Sequence, residues 1–282
     1  KSWTHSKIYI KYNMSYLDTL NTEQKNNIAL ITEDAKKIGI TNPYAIAGIL
    51  AIISKESSFV PKQERAYSGT SNERIRKVFG SRLSGYSESQ LSALKANPKA
   101  FFDAIYGGRY HNAQDEGYKY RGRGFNQITF KSAYERYAKD TGEDLVNNPD
   151  LMLKPKTASK VAVAFAKRRI QSLKDNGKLA SYNANDINDF KNTKDATMAM
   201  YHANTGAGKS VAHVKGLATS DHLGGMRKAL DRVNDLLIAT KTFVKKKPLM
   251  TVLITTAIVL SVWALIKYSG IAKKNKTISK LV

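Results

Sequence analysis

The chain has 282 residues, 42% of them hydrophobic, which allows one large or two small domains around a sizeable core. With six prolines, eighteen glycines and no repeat at a fixed period, it is neither disordered, fibrous nor a solenoid. No cysteine is present and the five histidines lack ligand spacing, so no disulfide, metal or cofactor is expected, while a net charge of +23 calls for anionic surroundings.

Residues 1–22 read as an N-terminal segment without the apolar run of a secretion signal. A helical pattern covers Glu23–Ile38. Asn42 then offers a capping side chain and Pro43 a first helical position, leading into Tyr44–Ile53, which is apolar all round and so predicts a buried helix. Further helices are expected at Glu88–Ala96, Pro98–Tyr106, Lys131–Thr141, Pro155–Asn176, Asn185–Asn204 and Met226–Thr240. Strand signal is scarce, with Gly124–Thr129 the best candidate. Residues 23–240 therefore read as one mainly α domain.

Beyond it, 241–247 form a basic linker ending in Lys245-Lys246-Lys247 before Pro248. Leu249 to Ile266 carries no charge. Eighteen residues rising about 1.5 Å each give roughly 27 Å, so a transmembrane helix over 248–268 is expected, with Trp263 and Tyr268 at an interface and a basic tail at 269–282. This predicts a single-pass membrane protein whose bilayer partner is met through residues 249–266. Lysines flank the span on both sides and give no orientation.

The buried helix ends in Ser54-Lys55-Glu56-Ser57-Ser58-Phe59. There the apolar surroundings and the negative end of the helix dipole both disfavour ionisation of Glu56, as suits a general acid. Pro61 should stop the helix, so that Glu64 lies on a turning segment able to fold back toward Glu56. Two carboxylates about 6.5–9.5 Å apart would leave room for a water and predict inversion. A second feature is Tyr118-Lys-Tyr-Arg-Gly-Arg-Gly-Phe-Asn-Gln-Ile-Thr129, where glycines let backbone approach a ligand while aromatic faces and donors stay near. Taken alone, this loop suits a sugar chain or single-stranded nucleic acid equally.

In this order the segments resemble glycoside hydrolase family nineteen, the chitinases and phage endolysins of lysozyme-like fold, from about Ala45 to Gly208. The resemblance implies a two-lobed, mainly helical domain with at most a small β element. It makes Glu56 the acid and Glu64 the base, with the cleft lined by Tyr120 to Thr129. Within that stretch Tyr120, Arg123, Gln127 and Thr129 would bind substrate, Thr129 also holding the attacking water, and Asn204 would match a later substrate-contacting asparagine. Tyr67–Phe79, Ala104–Arg109 and Asn148–Leu151 look like the phage branch, pointing to peptidoglycan rather than chitin, and to no specific nucleic acid. The sequence departs from the family pattern where Lys55 precedes the acid, where the acid-to-base gap is one residue short, and at Phe130 and Thr205, which replace glycines. The short gap leaves Glu116 as a rival base.

Ala203-Asn-Thr-Gly-Ala-Gly-Lys-Ser210 satisfies a relaxed phosphate-loop pattern but follows a helix rather than a strand and lacks the first glycine. The leading expectation is a membrane-anchored peptidoglycan hydrolase, either carried with other virion proteins in the internal membrane of a phage particle or held at the host inner membrane. A lytic transglycosylase needs only Glu56, and a non-catalytic structural protein of a phage particle needs neither carboxylate.

Overall fold

The computed structural model describes residues 15–220 and 225–242. The chain divides into two compact units, Lys1–Thr240 and Lys241–Val282, and the first carries the architecture described below. Its elements in order are a 3-10 turn at Tyr16–Thr19, α1 (Thr22–Lys37), α2 (Pro43–Ser57), β1 (Lys62–Gln63), α3 (Asn72–Leu83), α4 (Glu88–Ala96), α5 (Pro98–Tyr106), β2 (Arg123–Gly124), α6 (Lys131–Thr141), a 3-10 turn at Pro149–Leu153, α7 (Pro155–Asp175), a 3-10 turn at Leu179–Tyr182, α8 (Thr193–Gly206) and α9 (Val211–Thr219). Residues 225–242 form a last helix, α10.

Helix α2 is the central post. Asn42 caps it by accepting from the Tyr44 and Ala45 amides, and Pro43 supplies the fixed φ of its first turn. Ala45 through Ser54 are all buried, as an apolar circumference requires. The helix packs most extensively against α8, and α7 lies against both α1 and α8. Close approach depends on Gly48, where an added Cβ would come within 3.0 Å of the Ala196 backbone on α8. Each fully buried Ile or Leu here contributes about 1.5–3 kcal/mol, and Ile46, Leu50 and Ile53 are all fully buried.

A second cluster belongs to α3–α5, where Ile75, Leu83, Leu91, Phe101, Phe102 and Ile105 are buried and Tyr67, Phe79 and Tyr106 pack against them. A third gathers Tyr120, Ile128, Tyr134, Tyr137, Leu145 and Met152 between the 118–130 loop, α6 and α7. Among the described residues a single sheet pairs β1 with β2 antiparallel, Lys62 opposite Gly124 and Gln63 opposite Arg123. A mainly helical chain with a two-stranded sheet agrees with the lysozyme-like expectation.

The transmembrane part of the expected fold class, and the single-pass membrane localisation drawn from it, are corrected. Among the described residues no helix is long and apolar enough to cross a membrane. The most apolar, α2, has 15 residues, about 22 Å at 1.5 Å each, and the longest, α7, has 21 but carries six Lys and Arg residues. The segment 249–266 lies outside the described residues. The placement in a virion or host inner membrane rested on that span and falls with it.

Other differences are local. The helix expected over Asn185–Asn204 begins only at Thr193, because Asp189 accepts from the Asn185 amide and Asp186 from that of Asn188, giving the backbone a turn in place of a helix. Helices α3 and α9 were not anticipated. Each contains a glycine and buries few residues, Ile75 and Leu83 in one and Val214 in the other, so neither shows a periodic apolar stripe.

Candidate active site

Helix α2 ends on two consecutive left-handed residues, Ser58 with φ 51° and Phe59 with φ 61°. Such conformations cost energy for non-glycine residues and are held from outside. Gln24 of α1 accepts from the Asn21 amide through its side-chain oxygen, and its Nε2 donates to the Ser58 carbonyl at 2.8 Å. Asn27 donates to the Phe59 carbonyl at 2.8 Å, while the Phe59 ring is fully buried. The first two turns of α1 thus fix the direction in which the chain leaves α2, and so where Glu64 arrives.

Glu56 occupies the last turn of α2, with about a quarter of its side chain exposed. Its Oε1 accepts from Lys55 Nζ at 3.0 Å and from Asn204 Nδ2 at 3.3 Å, across the α2–α8 contact. Asn204 also lines a cavity of about 20 Å³ with Ile52 of α2 and Asn126 of the 118–130 loop. The loop therefore reaches the neighbourhood of Glu56 through Asn126, whose Oδ1 is buried without a protein partner.

Glu64 follows β1 directly, and its amide donates to the Gly122 carbonyl at 2.7 Å, extending the β1–β2 pairing by one residue. Three donors meet its carboxylate: Tyr67 Oη at 2.8 Å and Tyr106 Oη at 2.9 Å on Oε1, and the Gly122 amide at 3.2 Å on Oε2. Burial first, and then the adjacent Glu64 charge, push both phenols well above their ordinary range, so both stay protonated donors. Gly122 sits in a tight space. An added Cβ there would lie 3.1 Å from Gln127 Oε1 and 3.3 Å from Glu64 Oε2, which also shows how closely those two side chains converge.

Gln127, itself at φ 52°, donates to the Lys62 carbonyl at 2.8 Å, and Thr129 Oγ1 donates to the Gln127 carbonyl at 3.1 Å. Glu64, Gln127 and Thr129 thus form one group, and Glu56 with Asn204 another. Tyr120 and Arg123 are placed elsewhere. Tyr120 is fully buried with its hydroxyl on the Val146 carbonyl, so its ring faces the core and not a ligand. Arg123, 3% exposed, pairs with Asp150 at 2.8 Å and donates to the Lys119 carbonyl and to Tyr134 Oη. It pairs with neither Glu56 nor Glu64. Its role is to hold the loop together: Arg123→Met is expected to cost about 3–5 kcal/mol in chemical denaturation, because the buried carbonyl and hydroxyl lose their donor. A loss below about 1 kcal/mol would show that Arg123 is dispensable to the fold.

The rival base, Glu116, closes its own turn on the Ala113 amide at 2.9 Å and pairs with Lys131 at 3.1 Å. Burial would raise its pKa, but these two partners outweigh it and hold the carboxyl below its ordinary value. Its lone pairs are committed to structure. Tyr67 and Tyr106 were not anticipated as partners of Glu64. Tyr67 stands three residues after it, yet only the fold brings Tyr106 there from the far end of α5.

One further buried group lies two residues before Asn204. His202 Nε2 sits 3.0 Å from the Lys209 carbonyl, which can only accept, so Nε2 carries the proton and Nδ1 accepts from Tyr182 Oη at 2.9 Å. Burial pushes this imidazole below its ordinary 6.5. Neutral His202 therefore contributes stability above about pH 6.5, and that contribution is lost as pH falls from there through the lowered native value. The expected outcome is a declining unfolding free energy below pH 6.5, at no more than about 1.4 kcal/mol per pH unit from this one proton. His202→Gln should flatten that limb, and an unchanged slope in the variant would remove His202 as its source.

Among the described residues no group of His, Asp and Glu could hold a metal ion. Residues 102–176 match the family model for chitinase class I, the glycoside hydrolase family nineteen model. No curated protein matches the chain. The matched segment contains Tyr106 and the whole 118–130 loop but neither Glu56, Glu64 nor Asn204. It supports a glycoside hydrolase acting on a glycan such as chitin or peptidoglycan.

Proposed function

We propose that this chain cleaves the glycan strand of bacterial peptidoglycan, with Glu56 as general acid and Glu64 as general base. The observation that carries the reading is the treatment of the two carboxylates. One ends an apolar helix within reach of Asn204, and the other is held by three donors beside Gly122 and Gln127, on the loop that the family match covers.

In this reading Glu56 gives its proton to the glycosidic oxygen as the bond to the anomeric carbon breaks. Glu64 takes a proton from a water that attacks the opposite face, so the configuration inverts. The two phenols and the Gly122 amide keep the Glu64 carboxylate in one orientation, so that little reorganisation is needed when the water gives up its proton. Thr129 and Gln127 position the water and a sugar substituent, and Asn204 steadies Glu56 against its sugar. The basic surface, from a formal charge of +23, favours an anionic polymer over a neutral one.

The test is to digest purified peptidoglycan and characterise the released fragments by mass spectrometry and by the anomeric form of the new ends. Reducing ends of inverted configuration are expected. Anhydro ends would replace the hydrolase by a transglycosylase using Glu56 alone, and absence of any release would remove the enzymatic reading.

A further inference from the structure

Among the described residues Tyr110 is the only aromatic that stands out as strongly exposed, at 61%. Its backbone is at φ 44°, and that of the following His111 at φ 70°. Its ring lies 4.7 Å from that of Phe130, which in turn meets Tyr106 at 5.2 Å, and Tyr106 is the residue whose hydroxyl donates to Glu64. Phe130 is itself an outlier. It holds φ 75° and ψ 142°, a conformation suited to glycine, and directly follows Thr129. A bulky side chain kept in such a backbone state is explained by what the ring does, and here the ring joins Tyr110 to the Glu64 cluster.

Arg109 completes the group. Its guanidinium lies 5.5 Å from the Tyr110 ring centre and 5.2 Å from that of Phe130, and its one hydrogen bond goes to the Ile105 carbonyl at 3.3 Å. Among the described residues no carboxylate is paired with it. In the loop and in α6, Glu116 is engaged by Lys131 and Glu135 by His111. The result is an exposed aromatic ring with a cation, not paired to a carboxylate, over it, joined through Phe130 and Tyr106 to the proposed base.

We infer that Arg109, Tyr110 and Phe130 form a sugar subsite that recognises a ring bearing a carboxylate substituent. The chemistry fits a muramyl residue from which the stem peptide has been removed, whose lactyl group then supplies a free carboxylate that plain N-acetylglucosamine lacks. The sugar's apolar face covers Tyr110, and the guanidinium forks onto the carboxylate. This rests on the glycan-cleaving reading and names a feature that separates peptide-free muramyl glycan from chitin.

The test titrates two soluble tetrasaccharides into the full-length Glu56→Gln protein by calorimetry: an N-acetylglucosamine tetramer, and a peptidoglycan tetramer with free lactyl carboxylates. The muramyl ligand is expected to bind about tenfold more tightly. Arg109→Gln should remove that advantage while leaving the N-acetylglucosamine tetramer within about twofold, and Tyr110→Ala should weaken both about tenfold. Equal loss on both ligands in Arg109→Gln, or a preference that survives it, overturns the subsite while the glycan reading stands. If neither ligand binds the Glu56→Gln protein, the glycan reading fails and takes the subsite with it.

Discussion

Glu56→Gln is expected to lower fragment release from peptidoglycan by about 10²–10⁴-fold, the range over which a positioned acid accelerates such a step. The fold should not change. Glutamine keeps the oxygen that accepts from Asn204 Nδ2, and the lost ion pair with Lys55 is partly exposed on both sides, so it contributes at most about 1 kcal/mol. Turbidity loss in a peptidoglycan suspension reports the activity, and thermal unfolding reports the fold. A variant that keeps more than a tenth of the wild-type rate would exclude Glu56 as the acid.

Glu64→Gln carries the second large effect and decides between mechanisms. An inverting hydrolase loses a comparable 10²–10⁴-fold when its base can no longer take a proton from water. A transglycosylase is spared, because its second group is the sugar's own substituent. In the variant the amide oxygen can turn to the Gly122 N–H, and the amide nitrogen can donate to the Tyr67 and Tyr106 hydroxyls, which accept as readily as they donate. The two phenol protons then lose their acceptor, so thermal unfolding is measured alongside, and a fall in rate larger than any loss of folded protein reports lost proton transfer. Retained activity with anhydro products would transfer the whole reaction to Glu56.

How much of this was legible beforehand depended on how local each signal was. Helix α2 could be read to its cap because Asn42, Pro43 and the apolar run act within a few residues, and α4, α5 and α6 were bounded to the residue for the same reason. The expectation that Glu64 would lie on a turning segment used only Pro61. That the turn is held by Gln24 and Asn27, more than thirty residues earlier, leaves no trace in the local pattern. Arg123 and Tyr120 illustrate the opposite case. Glycine-flanked basic and aromatic residues looked available to a ligand, yet the loop turns Arg123 inward onto backbone carbonyls and Tyr120 into the third cluster. The 249–266 stretch was judged by hydropathy alone, and the described helices offer it no membrane-spanning counterpart.

The chain between Ser57 and Glu64 is fastened at four points: Ser58 by Gln24, Phe59 by Asn27, Lys62 by Gln127, and Glu64 by Gly122. A strap pinned so often has no slack. Inserting or deleting a residue there would shift the later anchors against the earlier ones and move the second carboxylate relative to its cradle. Divergence toward new substrates then has more room at the exposed side chain of Tyr110, which no buried contact fixes in identity.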